Sequence, residues 1–381
     1  MLPLTPRNGY NPTLLFCGGQ VMDDASWGSY AYPNVNTWTV AASADCHRIT
    51  PEPTDGSSPN YVQDDNLPVG RTMSELIGLP DGTLLLVNGA EFGTAGYANQ
   101  TGATASLDLM PYGPSLAAGP VFQPMIYNPN APAGSRWSSA GLGNSTIPRM
   151  YHSTALLLPD GSVMIAGSNP NADVNTTTTF PTTYTAEYFY PPYFSAKTRP
   201  VPQYVPQTLS YGGKYFDITV SSSSYTGNAD DAAGNTTVWL IRPGFATHGM
   251  NMGQRIMQLN NTYTVQSNGT ITIHTAQLPP NPNLFQPGPA MLFVTINGIP
   301  SNGTFLTVGS GKIETQTTAA VSVLPASSKS GQNNDGSGNA TTNGSGKKNG
   351  AASSIPPYSG ANGARNILIS LGVVALTLAL S

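Results

Sequence analysis

Tyr151 and His152 are neighbours in the run Ile-Pro-Arg-Met-Tyr-His-Ser-Thr at 147–154, and together they offer a phenol oxygen and an imidazole nitrogen. That N,O donor pair suits copper(II). Nearly a hundred residues on, Phe245-Ala246-Thr247-His248-Gly249-Met250 carries a further isolated histidine in a small-residue setting; the chain holds only 4 histidines. Successive side chains on a strand point to opposite faces, so Tyr151 and His152 can reach one metal only from a strand end or a loop. Each motif also has a plainer reading. Tyr-His dipeptides arise by chance, and His248 could sit on a solvent-facing loop. His47, next to Cys46, and His274, in the alternating run Thr270–His274, read as structural. Trp137 could pack in a core or line a pocket.

The elements that must position these residues read as strands. Three apolar bursts, each followed by Gly or Asn, recur at Leu14–Cys17, Leu84–Val87 and Val163–Ala166. The last two follow Leu-Pro-Asp-Gly, at 79–82 and again at 158–161. Asp-Gly between apolar runs is a two-residue hairpin signal. The repeat spans about two blades of roughly 40–50 residues, which predicts a kelch-type β-propeller over residues 1–198; the alternative is a generic β-sandwich. Past Lys197-Thr198-Arg199-Pro200 the pattern changes. Apolar runs at Lys214–Val220, Thr237–Ile241, Thr270–His274 and Ala290–Ile296 predict an immunoglobulin-like sandwich over 199–308. From Gly309 to residue 366 the chain is rich in Ser, Thr, Asn and Gly, which predicts a disordered, glycosylatable stalk. The expected fold class is all-β.

Composition narrows the function. Of 381 residues, 39% are hydrophobic and only 9% charged, with 41 Gly and 34 Pro; that favours short strands and tight turns over helices. The net charge of −4 has no basic stripe, which argues against nucleic-acid binding. Sequons at Asn99, Asn144, Asn175, Asn235, Asn260, Asn268, Asn302, Asn339 and Asn343 suit a secreted glycoprotein. The two cysteines, Cys17 and Cys46, would form one disulfide worth about 3 kcal/mol in an oxidising compartment, or remain two buried thiols. The apolar tail at 367–381, preceded by small residues and a polar spacer, has the pattern of a GPI-attachment signal; as a helix, Ile367–Leu380 would rise only about 21 Å, short of a ~30 Å hydrocarbon core. No secretory signal peptide opens the sequence, so the natural product is expected to carry more chain upstream.

Four segments together (Ile147–Thr154, Gly167-Ser168-Asn169-Pro170-Asn171, Phe245–Arg255 and Pro287-Gly288-Pro289-Ala290) make residues 1 to about 310 resemble the fungal glyoxal oxidases. These are copper radical oxidases related to galactose oxidase. The resemblance implies a seven-bladed propeller followed by an early-set sandwich, one loop of which returns a histidine to the propeller's central channel. It implies that Tyr151 is the axial tyrosine and catalytic base, and that Tyr151, His152 and His248 are ligands of one copper ion. It also implies oxidation of small aldehydes or alcohols, with O2 reduced to hydrogen peroxide, by a monomer at the fungal cell surface. Such enzymes carry a second ligand tyrosine, thioether-linked to a cysteine, in upstream blades. Cys17 and Cys46 match a different, structural pair, so the Cys-Tyr radical cofactor is not expected in this chain. Residues 1–198 would fill only four or so blades, and the chain is expected to be inactive alone. A non-catalytic surface glycoprotein that binds glycans or wall components is the rival expectation.

Overall fold

The computed structural model describes residues 1–22, 36–97, 110–247 and 250–331. Its first half is a series of antiparallel meanders. Strands β1 (Leu14–Cys17), β2 (Cys46–Ile49) and β3 (Val62–Gln63) form one sheet. A second sheet takes β4 (Glu75–Gly78) and β5 (Leu84–Val87), detours through a long hairpin of β6 (Ala90–Tyr97) and β7 (Pro111–Pro120), and resumes with β8 (Met125–Tyr127) and β9 (Trp137–Ser138). A third comprises β10 (Ser153–Leu157), β11 (Val163–Gly167) and β12 (Ala186–Phe189). Burial follows the sequence pattern. All four residues of β5 are buried, as its unbroken Leu-Leu-Leu-Val demands, whereas β10 buries only alternate residues Ser153, Ala155 and Leu157.

Both Leu-Pro-Asp-Gly segments turn a hairpin, but with three-residue loops rather than the two-residue turn that Asp-Gly suggests. Leu79 N–H donates to Thr83 O, and Leu158 N–H to Ser162 O, leaving Pro-Asp-Gly as the loop in each case. A two-residue type I′ turn needs positive φ at both Asp and Gly, but only the glycine takes it, at φ 85° for Gly82 and 87° for Gly161, so each loop closes as the three-residue kind with a left-handed last residue. Asp81 and Asp160 complete the loops by accepting from the N–H and hydroxyl of Thr83 and Ser162.

The second half is a two-sheet sandwich. One sheet orders β13 (Pro202–Gln203), β16 (Phe216–Val220), β22 (Ile271–Thr275) and β21 (Asn261–Val265); the other orders β14 (Thr208–Leu209), β25 (Thr304–Val308), β23 (Gly288–Ile296), β17 (Thr236–Arg242) and β20 (Arg255–Leu259), with β24 (Ile299–Pro300) beside β23. A short helix α1 (Ala229–Gly234) is capped by the Asn228 side chain. Ile218, Val220, Ile273, Val238, Leu240 and Leu292 share the core between the sheets. The alternate residues Trp239, Ile241, Met291 and Phe293 face the other way and pack on Leu79, Leu84, Leu157 and Val163. Strand β17 is therefore buried on both faces, which is why Val238–Ile241 reads as continuous apolar sequence. Both hairpin loops dock here: Thr295 Oγ1 donates to Pro80 O at 2.5 Å, and Gly303 N–H to Pro159 O at 2.7 Å.

One residue crosses between the two halves, and one expectation about the end of the second is corrected. Leu4, in the segment read as propeller, is fully buried in the sandwich core and bridges Met257 in parallel. The predicted disordered stalk does not begin at Gly309. Strand β26 (Thr318–Val321) pairs in parallel with β15 (Tyr211–Gly213), and Ser328 exchanges backbone hydrogen bonds with Tyr263 and Val265. Polar composition misled the reading because edge pairing needs only backbone N–H and C=O groups. Gly212 makes the contact possible: at φ 76°, a Cβ there would lie 1.7 Å from Ala319 O. The rest of the predicted stalk and the anchor-like tail at 367–381 lie outside the described residues.

Candidate functional site

Tyr151 and His152 occupy a turn that ends where β10 begins. His152 adopts φ 61°, the left-handed conformation, which breaks the strand alternation that would separate the two side chains. Their rings lie stacked, with centroids 3.8 Å apart. The phenol is half-buried and the imidazole exposed. The condition set by the sequence, that the pair sit at a strand end, is met.

Three neighbours hold the turn. Met150 is fully buried among Met73, Ala90, Ala117 and Phe180. Ser168 accepts from Met150 N–H at 3.0 Å through its hydroxyl and donates its own N–H to His152 O at 3.1 Å, while Asn169 N–H donates to Tyr151 O at 2.7 Å. The Gly-Ser-Asn-Pro-Asn motif at 167–171 is thus the clamp on the Tyr-His motif. Beneath it the buried Arg149 donates to Glu187 at 2.7 Å, Gly167 O at 2.7 Å and Thr185 O at 3.1 Å. A guanidinium so fully satisfied is a rigid support, because leaving any of those bonds unmade would expose a buried charge.

Burial pushes the Tyr151 phenol above its ordinary pKa, and the Tyr97 phenol, with ring centroids 6.4 Å apart, pushes it the same way. A raised phenol pKa means a proton must leave when the oxygen takes up a metal ion. On β4, Glu75 is 1% exposed. Burial raises its pKa to about 8, only partly offset by the backbone N–H of Ala155 on β10.

His248 lies outside the described residues. The strands on either side of it are described: β18 (Phe245–Thr247) and β19 (Met250–Met252) pair antiparallel, with Thr247 opposite Met250. Strand β18 runs alongside β10, the strand that leaves His152, and β19 alongside β4. The hairpin of the second half therefore packs against β10, the strand that starts at the Tyr151-His152 turn, and against β4. Among the described residues, no three His, Cys, Asp or Glu side chains gather into a metal cluster. The donor set that fits copper is the stacked phenol–imidazole pair.

The remaining singled-out residues have structural roles. Cys17 and Cys46 stand directly opposite each other on β1 and β2 and form a disulfide, so neither thiol is free. His274 hydrogen-bonds Asp217 at 2.7 Å and Thr264 at 2.9 Å. Trp137, undecided from sequence, packs tilted against Tyr127 and donates to Asp65 O at 2.9 Å. Sequence reasoning passed over Arg149, Ser168, Glu75 and Gln254. Arg149, Ser168 and Gln254 stand inside the motifs that carry the resemblance, but nothing in their spacing reveals which groups they bind.

Comparison with known proteins agrees with this architecture. Residues 1–193 match the family model "Glyoxal oxidase N-terminus", and residues 199–308 match "Galactose oxidase-like, Early set domain". The chain is 34% identical to an aldehyde oxidase GLOX of Vitis pseudoreticulata over 76% of its own length and 48% of that protein. It is 31% identical to a galactose oxidase of Gibberella zeae, over 75% of this chain and 36% of that one. It spans less than half the length of these curated relatives. A solved fungal alcohol oxidase of the AA5 family, in complex with copper, shares the fold with a TM-score of 0.55 at 20% identity, over 81% of this chain and 53% of that structure. On the extent of these matches, the chain belongs to the glyoxal oxidase and galactose oxidase-like family, within the copper radical oxidase superfamily.

Proposed function

We propose that this chain forms the copper-holding part of an extracellular oxidase that converts small aldehydes, as their hydrates, to acids, or alcohols to aldehydes, with O2 reduced to hydrogen peroxide. The observation that carries the reading is the Tyr151-His152 turn, where a phenol and an imidazole lie side by side at the start of β10, the strand that β18 packs against. Tyr151, His152 and His248 would hold the ion. Bound copper would polarise a substrate hydroxyl and accept one electron.

The chain's own residues supply the rest. The half-buried Tyr151 oxygen would be the proton acceptor for the substrate hydroxyl. The Ser168 clamp and the Arg149–Glu187 support keep that oxygen in place, since general-base catalysis needs hydrogen-bond reach. Two-electron oxidation requires a second one-electron site. The chain has no thiol left to build a thioether-linked tyrosine, because both cysteines are in the disulfide. We therefore expect no turnover from this chain alone.

The disulfide and the exposed sequon residues Asn144, Asn235, Asn260, Asn268 and Asn302 support passage through the secretory pathway. Attachment to the cell surface through the C-terminal tail, and action as a monomer, are part of the proposal. The deciding experiment loads the purified chain with copper and measures stoichiometry and the Cu(II) EPR spectrum. One ion per chain with imidazole nitrogen couplings, lost in His152→Asn, is expected; absence of uptake sinks the metal assignment. Peroxide from an aldehyde or alcohol panel would overturn the expected inactivity.

A further inference from the structure

Strand β4 lies at the edge of its sheet, so half of its backbone groups face away from β5. Two of them are taken by one side chain from the sandwich. Gln254 accepts from Gly78 N–H through Oε1 at 2.9 Å and donates Nε2–H to Leu76 O at 3.0 Å. The carboxamide thus reads the C=O of one residue and the N–H two residues on, as a neighbouring strand would. Gln254 stands two residues beyond Met252, the end of the β18–β19 hairpin.

The surroundings are built for close approach. A Cβ on Gly78 would lie 1.9 Å from Ile256 Cδ1, and a Cβ on Gly244, just ahead of β18, would lie 1.9 Å from Asn251 Oδ1. The hairpin is therefore closed at its base and fastened to β4 immediately afterwards. Its strand β18 passes along β10, which starts at the Tyr151-His152 turn.

We propose that Gln254 is a positioning residue: its two hydrogen bonds to β4 set where the β18–β19 hairpin stands relative to the Tyr151-His152 turn. The functional purpose rests on the copper reading above, in which the hairpin's sequence carries a ligand. The docking itself does not. Arg199 makes the natural contrast. It also joins the two halves, donating to Pro300 O at 2.9 Å and Asp160 O at 2.8 Å, but it contacts neither β18 nor β19 through these bonds.

The test compares the whole chain with Gln254→Ala, Gln254→Asn and Arg199→Ala, by amide hydrogen exchange and by Cu(II) binding. Asparagine keeps the amide but is one methylene too short to span both partners. Losing two hydrogen bonds predicts exchange about tenfold faster in the β18 and β19 amides of either Gln254 variant. Arg199→Ala lowers the melting temperature while leaving those amides as protected as in the parent. Copper affinity falls about tenfold in the Gln254 variants, with a changed nitrogen coupling pattern, and stays at the parent value in Arg199→Ala. Unchanged hairpin protection in both Gln254 variants overturns the docking claim. Unchanged copper affinity and spectrum alongside faster exchange overturn the positioning role. A parent chain that binds no copper removes the copper reading, while the exchange data still decide the docking.

Discussion

Ser168 grips His152 from across the β10–β11 hairpin: its N–H donates to His152 O at 3.1 Å while its hydroxyl accepts from the N–H two residues before that histidine. The two residues thereby fix the turn that stacks phenol on imidazole. Ser168→Ala removes the acceptor of a buried N–H, which costs about 1–3 kcal/mol. Urea unfolding should show that loss, and copper affinity should fall with it. A variant as stable as the parent would show that the clamp is not needed.

His152→Asn separates the imidazole from the backbone it sits on. Asparagine tolerates the left-handed φ of 61°, so the turn survives, and the exposed position buries nothing on substitution. Stability should stay within about 0.5 kcal/mol of the parent while copper affinity drops at least tenfold. Isothermal titration with Cu(II) and a denaturant curve read the two effects independently.

Glu75 should give the protein a pH signature. Its carboxyl holds its proton up to about pH 8 in the fold but only to the ordinary carboxylate range when unfolded. Its contribution is fully present below about pH 4 and is lost as pH rises toward 8, because over that range the unfolded chain gains by ionising the carboxyl while the fold keeps it neutral. Relative to Glu75→Gln, the parent should lose on the order of a few kcal/mol between pH 5 and 8. Parallel stability curves for the two proteins would refute the assignment.

Reduction of the Cys17–Cys46 link, which joins residues 29 apart, should cost about 3 kcal/mol through the entropy of the released loop. The melting temperature with and without reductant measures this, and the Cys17→Ser, Cys46→Ser double variant should match the reduced protein.

Gly212→Ala should detach β26. The Cβ cannot coexist with Ala319 O, so the strand Thr318–Val321 leaves the edge and becomes accessible to protease. Limited proteolysis should cut between residues 312 and 328 in the variant before the parent, with global stability lowered by only about 1 kcal/mol.

Much of this architecture is written locally. Alternation in Ser153–Leu157, the buried run Leu84–Val87 and the paired Leu-Pro-Asp-Gly loops depend on near neighbours, so the all-β class and the hairpins follow from the order of residues. The chemistry of Tyr151 and His152 is equally local, because a phenol and an imidazole are what they are in any fold. Tertiary structure decided what those local patterns could not. Whether the pair shares a face depends on one positive φ at His152, held by Ser168 from the next strand. Whether Gln254 matters depends on a strand edge far away in sequence. Thr318–Val321 buries none of its side chains, yet it joins a sheet through backbone groups common to every residue. Side-chain periodicity reports which face is buried; it is silent about which distant hydrogen-bonding groups will meet.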